Sequence, residues 1–417
     1  MFGSHLSIAG SMVSALDEGA RLGLDTVQVF TKNQQQWQAK PLDPGMVRAW
    51  HARMAELGWQ GRVVSHASYL INLAAPADEL WHKSIALMRI EIERCEELGI
   101  PFLVHHPGAY TTSSLEQGLA RIAAAYRELF SSTRGFRTVS CLEGTAGAGT
   151  TIGGPFEHLG RLRELIAEAT GAPERIGFCL DSCHLHAAGY DMSTRSSATS
   201  VLDAFDARCG IGNLKVWHLN DSKGTLGSHL DRHAHIGEGE VGRGVDAPTL
   251  ADSGFAAIVN HPAFAGVPKI LETPKEEGGK PDAGSNLAPG RWDTINIARL
   301  RSLMPGFAEP QLTGLRERIA PPAAAKKPAA KKSAPARPTK SSLKNTSAAP
   351  KPRRAKTNPK TGPKADSKSN PEATSARPRL SGASGQQSRP AGPRKAGSTQ
   401  KGKQGGGNVR TKGRKPR

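Results

Sequence analysis

Six short apolar segments of the sequence end in a side chain that could bind a metal ion. These side chains are His66, His106, Glu143, Asp181, His218 and Glu272. The first five are separated by 40, 37, 38 and 37 residues, and the sixth follows after 54. Imidazole and carboxylate ligands without thiolates suit zinc and would also admit manganese or iron. Six ligands exceed the needs of one tetrahedral ion, so the set predicts two or three ions that share a bridging carboxylate. Such clusters are typical of phosphoester hydrolysis.

The long interval before the sixth segment end contains a second concentration of ligand-type residues. Four of them fall on alternate positions around the sequence LDRHAHIGEGE: His229, Asp231, His233 and His235. Alternate side chains of an extended chain point the same way, so the spacing indicates either a metal-binding face or a polar loop. We expect the glycines of IGEGE to shape the backbone there and not to bind phosphate.

The elements that must position these residues alternate between two periodicities. Short apolar, β-branched segments recur over residues 1 to 280: HLSIA, TVQVF, RVVSH, FLVHH, TVSCLE, IGFCLD, LKVWHLN and PKILE. Stretches of helical period such as DELWHKSIALMRIEIERCEELG separate them. Eight strands alternating with helices predict an α/β fold, the closed (β/α)8 TIM barrel. All strands of such a barrel end on one face, so the six ligand-type side chains should converge there.

The composition of the chain changes sharply near residue 320. Residues 321 to 417 contain 26 Lys and Arg against Asp366 and Glu372, with no Phe, Trp or Tyr. Such a segment cannot bury a core, so we predict a disordered Lys/Arg/Pro/Ala-rich tail at 321–417 after a folded domain at 1–310. The net charge of the tail is +24 and that of the whole chain is +19. Residues 1 to 320 therefore have a net charge of −5. The tail is therefore a polycation suited to nucleic acid, or else a solubilising segment.

The five cysteines and the lengths of the apolar segments indicate in which cellular compartment the protein is expected. An odd number of irregularly spaced cysteines indicates reduced thiols in the cytosol. Cys179 and Cys183 lack the spacing of a zinc knuckle, and we interpret them as packing residues. No basic start with a following apolar run is present, and no stretch approaches the ~20 apolar residues of a membrane span. We expect a soluble, cytoplasmic protein without membrane contact.

Eight segments, in order from Gly3 to about Glu277, carry a family resemblance. They are GSHLSIAGS, FTKNQQQW, HASYLINLAAP, HHPGAY, LEGTAGAGTTIG, CLDSCHLHAAGYDM, HLNDSKGTLGSHLDRHAHIGEGEVG and ILETPKE. Together they resemble the endonuclease IV family of apurinic/apyrimidinic (AP) endonucleases. The last three segments are the most specific, and the tail has no counterpart in the core of that family. The resemblance implies that residues 1–310 form a metal-dependent endonuclease domain.

The resemblance implies three zinc ions per chain. The first two ions would be bound by His66, His106, Glu143, Asp181, His218 and Glu272. Glu143 would bridge them, and Glu143 and Glu272 are the candidate catalytic carboxylates. His184, Asp231 and His233 would bind the third ion. The remaining nearby histidines match no ligand of the family and are expected to pack or support other residues: His105, His186, His229 and His235.

The activity implied is that of a zinc-dependent AP endonuclease of base excision repair. Such an enzyme hydrolyses the phosphodiester 5′ to an abasic site in double-stranded DNA, leaving a 3′-hydroxyl and a 5′-deoxyribose phosphate. Removal of blocked 3′ ends is a related activity. Zinc lowers the pKa of bound water and stabilises a leaving oxygen, so no lysine or arginine acid is required. We expect a monomer located with the nucleoid in the cytoplasm.

Six residues are expected to contact DNA: Tyr69, Leu70, Gln35, Lys32, Asn33 and Lys223. Tyr69 and Leu70 match the family segment that wedges into the duplex, although packing between barrel and helix would explain them equally well. Two positions depart from the family. Gly144 stands where an Asn usually follows the bridging glutamate, and Gln35 stands where Arg is frequent. The first departure removes a hydrogen bond that could steady Glu143.

Two other functions fit parts of the sequence. Divalent-metal sugar isomerases on related barrels also place acids and histidines at strand ends, but they do not need the third set of ligands. A non-catalytic DNA-binding protein would need the basic tail and not a complete set of nine ligands. The number of bound ions and incision of an abasic duplex separate these alternatives.

The positive charge of the tail should strengthen binding to DNA. Truncation after residue 320 should weaken binding to duplex DNA and flatten the slope of log K against log salt, because fewer phosphates are neutralised. Binding isotherms of both chains at several salt concentrations measure the two quantities. Equal affinity and equal slope would show that the tail makes no contact with DNA.

Overall fold

Eight parallel strands close into a barrel in the computed structural model, which describes residues 1–243, 246, 249–275 and 291–307. The strands of this part of the chain are β1 (Phe2–His5), β2 (Thr26–Val29), β3 (Val64–His66), β4 (Phe102–His105), β5 (Val139–Glu143), β6 (Ile176–Asp181), β7 (Leu214–His218), β8 (Asp221–Ser222), β9 (His233–Ala234) and β10 (Lys269–Leu271). The barrel order is β1-β10-β7-β6-β5-β4-β3-β2, and β8 pairs with β9 in a separate antiparallel ribbon. The predicted (β/α)8 fold is confirmed. The predicted tail at 321–417 lies outside the described residues.

Helices follow the strands and cover the outside of the barrel. They are α1 (Met12–Arg21), α2 (Pro44–Leu57), α3 (Asp78–Glu97), α4 (Leu115–Ser132), α5 (Phe156–Thr170), α6 (Ser182–Ala188), α7 (Arg195–Cys209), α8 (Gly254–Asn260) and α9 (Arg291–Arg301). Local sequence fixes where they begin: at α4, Ser114 and Gln117 form a reciprocal capping box. Within the described residues, no helix combines the length and apolarity that crossing a membrane requires.

The interior of the barrel is one apolar layer beneath the mouth. It consists of Val64, Val104, Cys141, Cys179, Val216 and Ile270, all fully buried. Burial raises the pKa of the Cys179 thiol to about 12, as suits a packing residue. Side chains two positions apart lie on the same side of a strand. Two residues beyond this layer the chain therefore turns six polar side chains towards the mouth: His66, His106, Glu143, Asp181, His218 and Glu272.

The first two strands meet where the barrel closes, and Gly3 allows their close approach. A Cβ at Gly3 would lie 2.6 Å from the carbonyl oxygen of Thr26 and 3.0 Å from Cδ1 of Ile270. The register pairs Gly3 with Thr26 and His5 with Gln28. His5 and Gln28 consequently stand one inward position above Gly3 and Thr26, at the level of the other polar side chains.

Gly3→Ala should destabilise the barrel, because the added methyl group would press against the backbone of β2. We expect the free energy of unfolding to fall by about 1–3 kcal/mol, the usual cost of overpacking. Urea unfolding measures it, with Gly266→Ala as the matched control, since a Cβ there meets nothing within 4 Å. An unchanged free energy for Gly3→Ala would mean that the strands separate at little cost.

Candidate metal centre

One buried carboxylate lies at the centre of the barrel mouth. Oε2 of Glu143 is 3.1 Å from Nε2 of His66 and 3.2 Å from Nε2 of His106. Its Oε1 is 3.0 Å from Nδ1 of His218 and 3.4 Å from Nδ1 of His184. Burial favours the neutral acid, but His218 and His106 outweigh it and hold the pKa of Glu143 well below its usual range. Glu143 is thus a charged carboxylate with histidines on both of its oxygens.

A second group of ligand atoms extends from Glu143 towards β10. Atoms of Glu143, Asp181, His218 and Glu272 lie within 4.8 Å of one another. Nδ1 of His218 is 3.1 Å from Oε2 of Glu272 and 4.0 Å from Oδ2 of Asp181. Burial opposes ionisation of Glu272 as well, but His218 keeps its pKa well below the usual range. Three carboxylates and an imidazole therefore surround one small volume.

Helix α6 brings a third group together at the other side of Asp181. Oδ1 of Asp181 caps α6 by accepting from the backbone N–H groups of Cys183 and His184, at 2.7 and 3.1 Å. This cap places His184 on the first turn, with Nε2 3.3 Å from Oδ1 of Asp231. Nε2 of His233 is also 3.3 Å from that oxygen. Burial favours the neutral imidazoles, but the neighbouring carboxylates raise the pKa of His184 to about 10 and that of His233 to about 9.

The loop that carries Asp231 and His233 is fixed by the β8–β9 ribbon and a buried acid. Oxygens of Asp221 accept from the backbone N–H groups of Gly237, Val241 and Gly242 at 2.8, 2.9 and 3.1 Å. A Cβ at Gly242 would lie 2.5 Å from Oδ2 of Asp221. Gly237 and Gly242 therefore fold the backbone around Asp221, and for Gly237 of IGEGE this is the backbone-shaping role that the sequence predicts.

The four alternate side chains of this loop do not share one face. His229 has a positive φ of 55° and places Nδ1 2.8 Å from the carbonyl oxygen of Ala146. His235 stacks on Trp292 with a ring separation of 3.8 Å. The structure thus separates His229 and His235 from Asp231 and His233, which join His184 instead.

Among the described residues, three groups of possible ligands consist of nitrogen and carboxylate donors alone, and these donors fit zinc. The groups are His66–His106–Glu143, Glu143–Asp181–His218–Glu272 and His184–Asp231–His233, each with ligand atoms within 4.8 Å. Nitrogen and carboxylate donors at this density match a multinuclear zinc site. Two thiols lie close by, but burial raises the pKa of Cys179 and of Cys183 to about 12, so both are neutral. The groups coincide with the three sets that the family resemblance implies.

Hydrogen bonds behind the ligands orient several of them. The carbonyl oxygen of Gly144 accepts from Nδ1 of His184 at 2.9 Å, so Nε2 is the nitrogen left to face Asp231. Asn220 donates to Oδ2 of Asp181 at 2.6 Å and accepts from the backbone N–H of Glu272 at 2.8 Å. At position 144 a backbone group therefore orients a ligand without any side chain.

Three further polar residues lie beside or behind the ligands. His105 packs against Tyr126, whose hydroxyl is 2.6 Å from its Nε2, as its expected supporting role requires. His5 and Gln28 contact Glu272, and sequence reasoning missed both. A polar residue inside TVQVF and a histidine at the end of the first strand were the signals that could have found them.

The residues expected to contact DNA differ in exposure. Tyr69 is 61% exposed, and its ring centroid lies 5.1 Å from that of His66. Leu70 is partly buried against the core. Of the polar candidates, Asn33, Gln35 and Lys223 are exposed, on segments that follow β2 and β8. A cavity of about 230 Å³ opens beside Tyr69 and is lined in part by His66 and His106.

Lys32 does not occupy the exposed position that a contact with phosphate, expected from the sequence, would require. It is only 6% exposed, and its ammonium donates to the carbonyl oxygens of Asn33 and Gln36 at 2.8 and 2.6 Å. Oε1 of Glu91, which is also buried, lies 3.9 Å from the ammonium. A lysine in this position shapes its own loop, because a phosphate would have to compete with two carbonyl oxygens and a nearby carboxylate.

Comparison with known proteins agrees with this geometry. A family model described as a xylose isomerase-like TIM barrel matches residues 16–291. The chain is 46% identical over 305 residues to a probable endonuclease 4 of Chloroflexus aurantiacus, covering 73% of this chain and 98% of the relative. A probable endonuclease 4 of Geobacter sp. strain M21 is 39% identical over 306 residues, covering 73% and 99%.

Solved structures give the same result. The crystal structure of endonuclease IV from Thermus thermophilus is similar with a TM-score of 0.60 at 33% identity, covering 72% of this chain and 98% of that one. A D-tagatose 3-epimerase-like protein, at 17% identity and a TM-score of 0.51 over 76% of this chain and 99% of its own, shares the fold alone. The chain therefore belongs to the endonuclease IV family of AP endonucleases, a family of DNA-cleaving hydrolases.

Proposed function

We propose that this protein is a zinc-dependent AP endonuclease of base excision repair. Its substrate is double-stranded DNA with an abasic site, cut 5′ to the lesion to leave a 3′-hydroxyl and a 5′-deoxyribose phosphate. Trimming of blocked 3′ ends is a related activity of the same site. The observation that carries the proposal is the grouping of nine ligand residues into three adjacent sets at the barrel mouth. Zinc bound there would supply a water of lowered pKa and positive charge for the phosphate oxygens.

Different side chains of the site would bind different ions. Glu143 belongs to two of the three groups, so its carboxylate would be the ligand shared by two neighbouring ions. Glu272 and Asp181 add negative charge on the β10 and β6 sides. The side chain of Asp231 is about half exposed and that of His106 about a third, whereas Glu143 is buried, so the third and the first groups are both open to solvent.

The cavity beside Tyr69 would accommodate the abasic sugar. A sugar without a base loses its stacking, so turning it out of the duplex is least costly at an abasic site. The cavity of about 230 Å³ reaches from Tyr69 to His66 and His106, which are ligands of one group. We assign Tyr69 and Leu70 to the distorted duplex and Asn33, Gln35 and Lys223 to its backbone. Gln35 in place of arginine leaves that loop without a charge to insert.

The competing sugar-isomerase function is weakened by the third group. An isomerase site on this barrel needs one or two ions, whereas His184, Asp231 and His233 form a further complete set. Wild-type protein should contain three zinc ions per chain, incise an abasic-site oligonucleotide and leave keto sugars unchanged. We further propose that the protein acts as a monomer in the cytoplasm, where its basic tail contacts nucleic acid without sequence preference.

Glu143→Gln should abolish incision, because a neutral amide cannot bridge two cations. Salt-sensitive binding to DNA should remain, since it depends on cationic groups elsewhere. Incision of a labelled abasic duplex and a binding isotherm measure the two effects. The exposed Glu128→Gln on α4 is the matched control and should cut at the wild-type rate. Wild-type incision by Glu143→Gln would refute the bridging role.

Zinc uptake should release protons at pH 7. The pKa values of about 10 for His184 and about 9 for His233 mean that both imidazoles are protonated in the metal-free protein at pH 7. An ion that binds their nitrogens displaces those protons, and the release should decline as the pH rises through 9 to 10. Titration calorimetry in Hepes and in Tris detects it as a difference in apparent enthalpy.

Asp231→Asn provides the comparison for this measurement. Loss of that carboxylate lowers the pKa of both histidines, so the variant should release fewer protons. Equal enthalpies for the wild type in the two buffers at pH 7 would contradict the assignment.

A further inference from the structure

Gln28 lies behind the metal centre and was not part of the proposed ligand sets. It is fully buried in β2, between apolar neighbours along the strand. Its Oε1 is 2.8 Å from Nε2 of His218, and its Nε2 donates to Oε1 of Glu272 at 2.7 Å. One amide thus contacts two different members of the same group of ligands.

These contacts determine which atoms of the two ligands remain for an ion. The amide oxygen of Gln28 can only accept, so Nε2 of His218 keeps its hydrogen and Nδ1 is the nitrogen that can give up its proton to an ion. That Nδ1 is the atom that faces Glu143 and Glu272, at 3.0 and 3.1 Å. The hydrogen bond to Oε1 of Glu272 likewise leaves Oε2 as the oxygen nearest to His218.

His5 fixes the orientation of the amide. Its Nδ1 lies 2.9 Å from Nε2 of Gln28, and a neutral His5 with its hydrogen on Nε2 accepts there, so both hydrogens of the amide nitrogen have acceptors. The reversed amide would set its oxygen against the carboxylate of Glu272 and its N–H against the N–H of His218. The three partners therefore permit one orientation of Gln28.

We propose that Gln28 is a positioning residue for the ion held by Glu143, Asp181, His218 and Glu272. It selects Nδ1 of His218 and Oε2 of Glu272 as ligand atoms before any ion binds, with His5 as its anchor. This inference rests on the proposed function, because it requires that zinc occupies that group. It assigns a role to a residue in the middle of a strand, which no ligand pattern includes.

The test uses the full chain and the nearly isosteric variant Gln28→Met. Loss of the amide should weaken one of the three zinc ions by about 10–100-fold and leave the other two unchanged. Competition with a chromophoric chelator measures the affinities, and elemental analysis gives zinc per chain. The melting temperature of the metal-free protein should change little, whereas its rise on adding zinc should shrink. Gln60→Met, at an exposed glutamine, is the matched control.

Double variants identify the ion concerned. Gln28→Met and Glu272→Gln act on one ion, so their effects on zinc affinity should be non-additive. Gln28→Met and Asp231→Asn act on different ions and should add. His5→Phe removes the anchor but keeps the ring, and it should weaken the same ion to a smaller degree.

Two results would overturn the inference, and they differ from failure of the proposed function. Wild-type affinity for all three ions in Gln28→Met refutes the inference alone, as does a loss spread evenly over the three. A wild-type chain that binds no zinc refutes both the function and the inference.

Discussion

The alternation of side chains along a strand is the constraint from which the rest of the site follows. Each barrel strand turns every second side chain inward, so the residue two positions beyond the apolar layer must face the mouth. At Val64 and His66, or Cys141 and Glu143, the change from apolar to polar takes one inward step. Parallel strands end on one face, and the polar step therefore occurs at one level around the barrel. His184, Asp231 and His233, which lie outside the barrel strands, add to the set of ligands that the strands bring together.

That arrangement concentrates charge where little water reaches it. Glu143 is 1% exposed and His218 is fully buried, so neither would be stable there as an isolated ion. The structure compensates by pairing: His218 and His106 keep Glu143 ionised, and Asp231 helps to keep His184 and His233 protonated. Bound cations would take over that compensation from protons. Divalent ions that bind at this site would therefore compete with protons near neutral pH.

The sequence was sufficient for features that repeat with the barrel and insufficient for those that depend on contacts across it. Regular intervals located His66, His106 and Asp181, because each marks the end of a strand. The loop histidines required the structure: alternation suggested a common face, but the positive φ at His229 and the stacking of His235 on Trp292 turn those rings elsewhere. Lys32 was expected at the surface because its burial depends on Glu91 of α3, a residue distant from it in the sequence. Gln28 was missed because its partners are 190 and 244 residues away.

The most direct test of the account is to locate the zinc ions in crystals of this protein by anomalous diffraction on both sides of the zinc absorption edge. We predict three peaks per chain. One should lie among His66, His106 and Glu143, and a second among Glu143, Asp181, His218 and Glu272. The third should lie among His184, Asp231 and His233. A single peak, or peaks that do not contact Glu143, would contradict it.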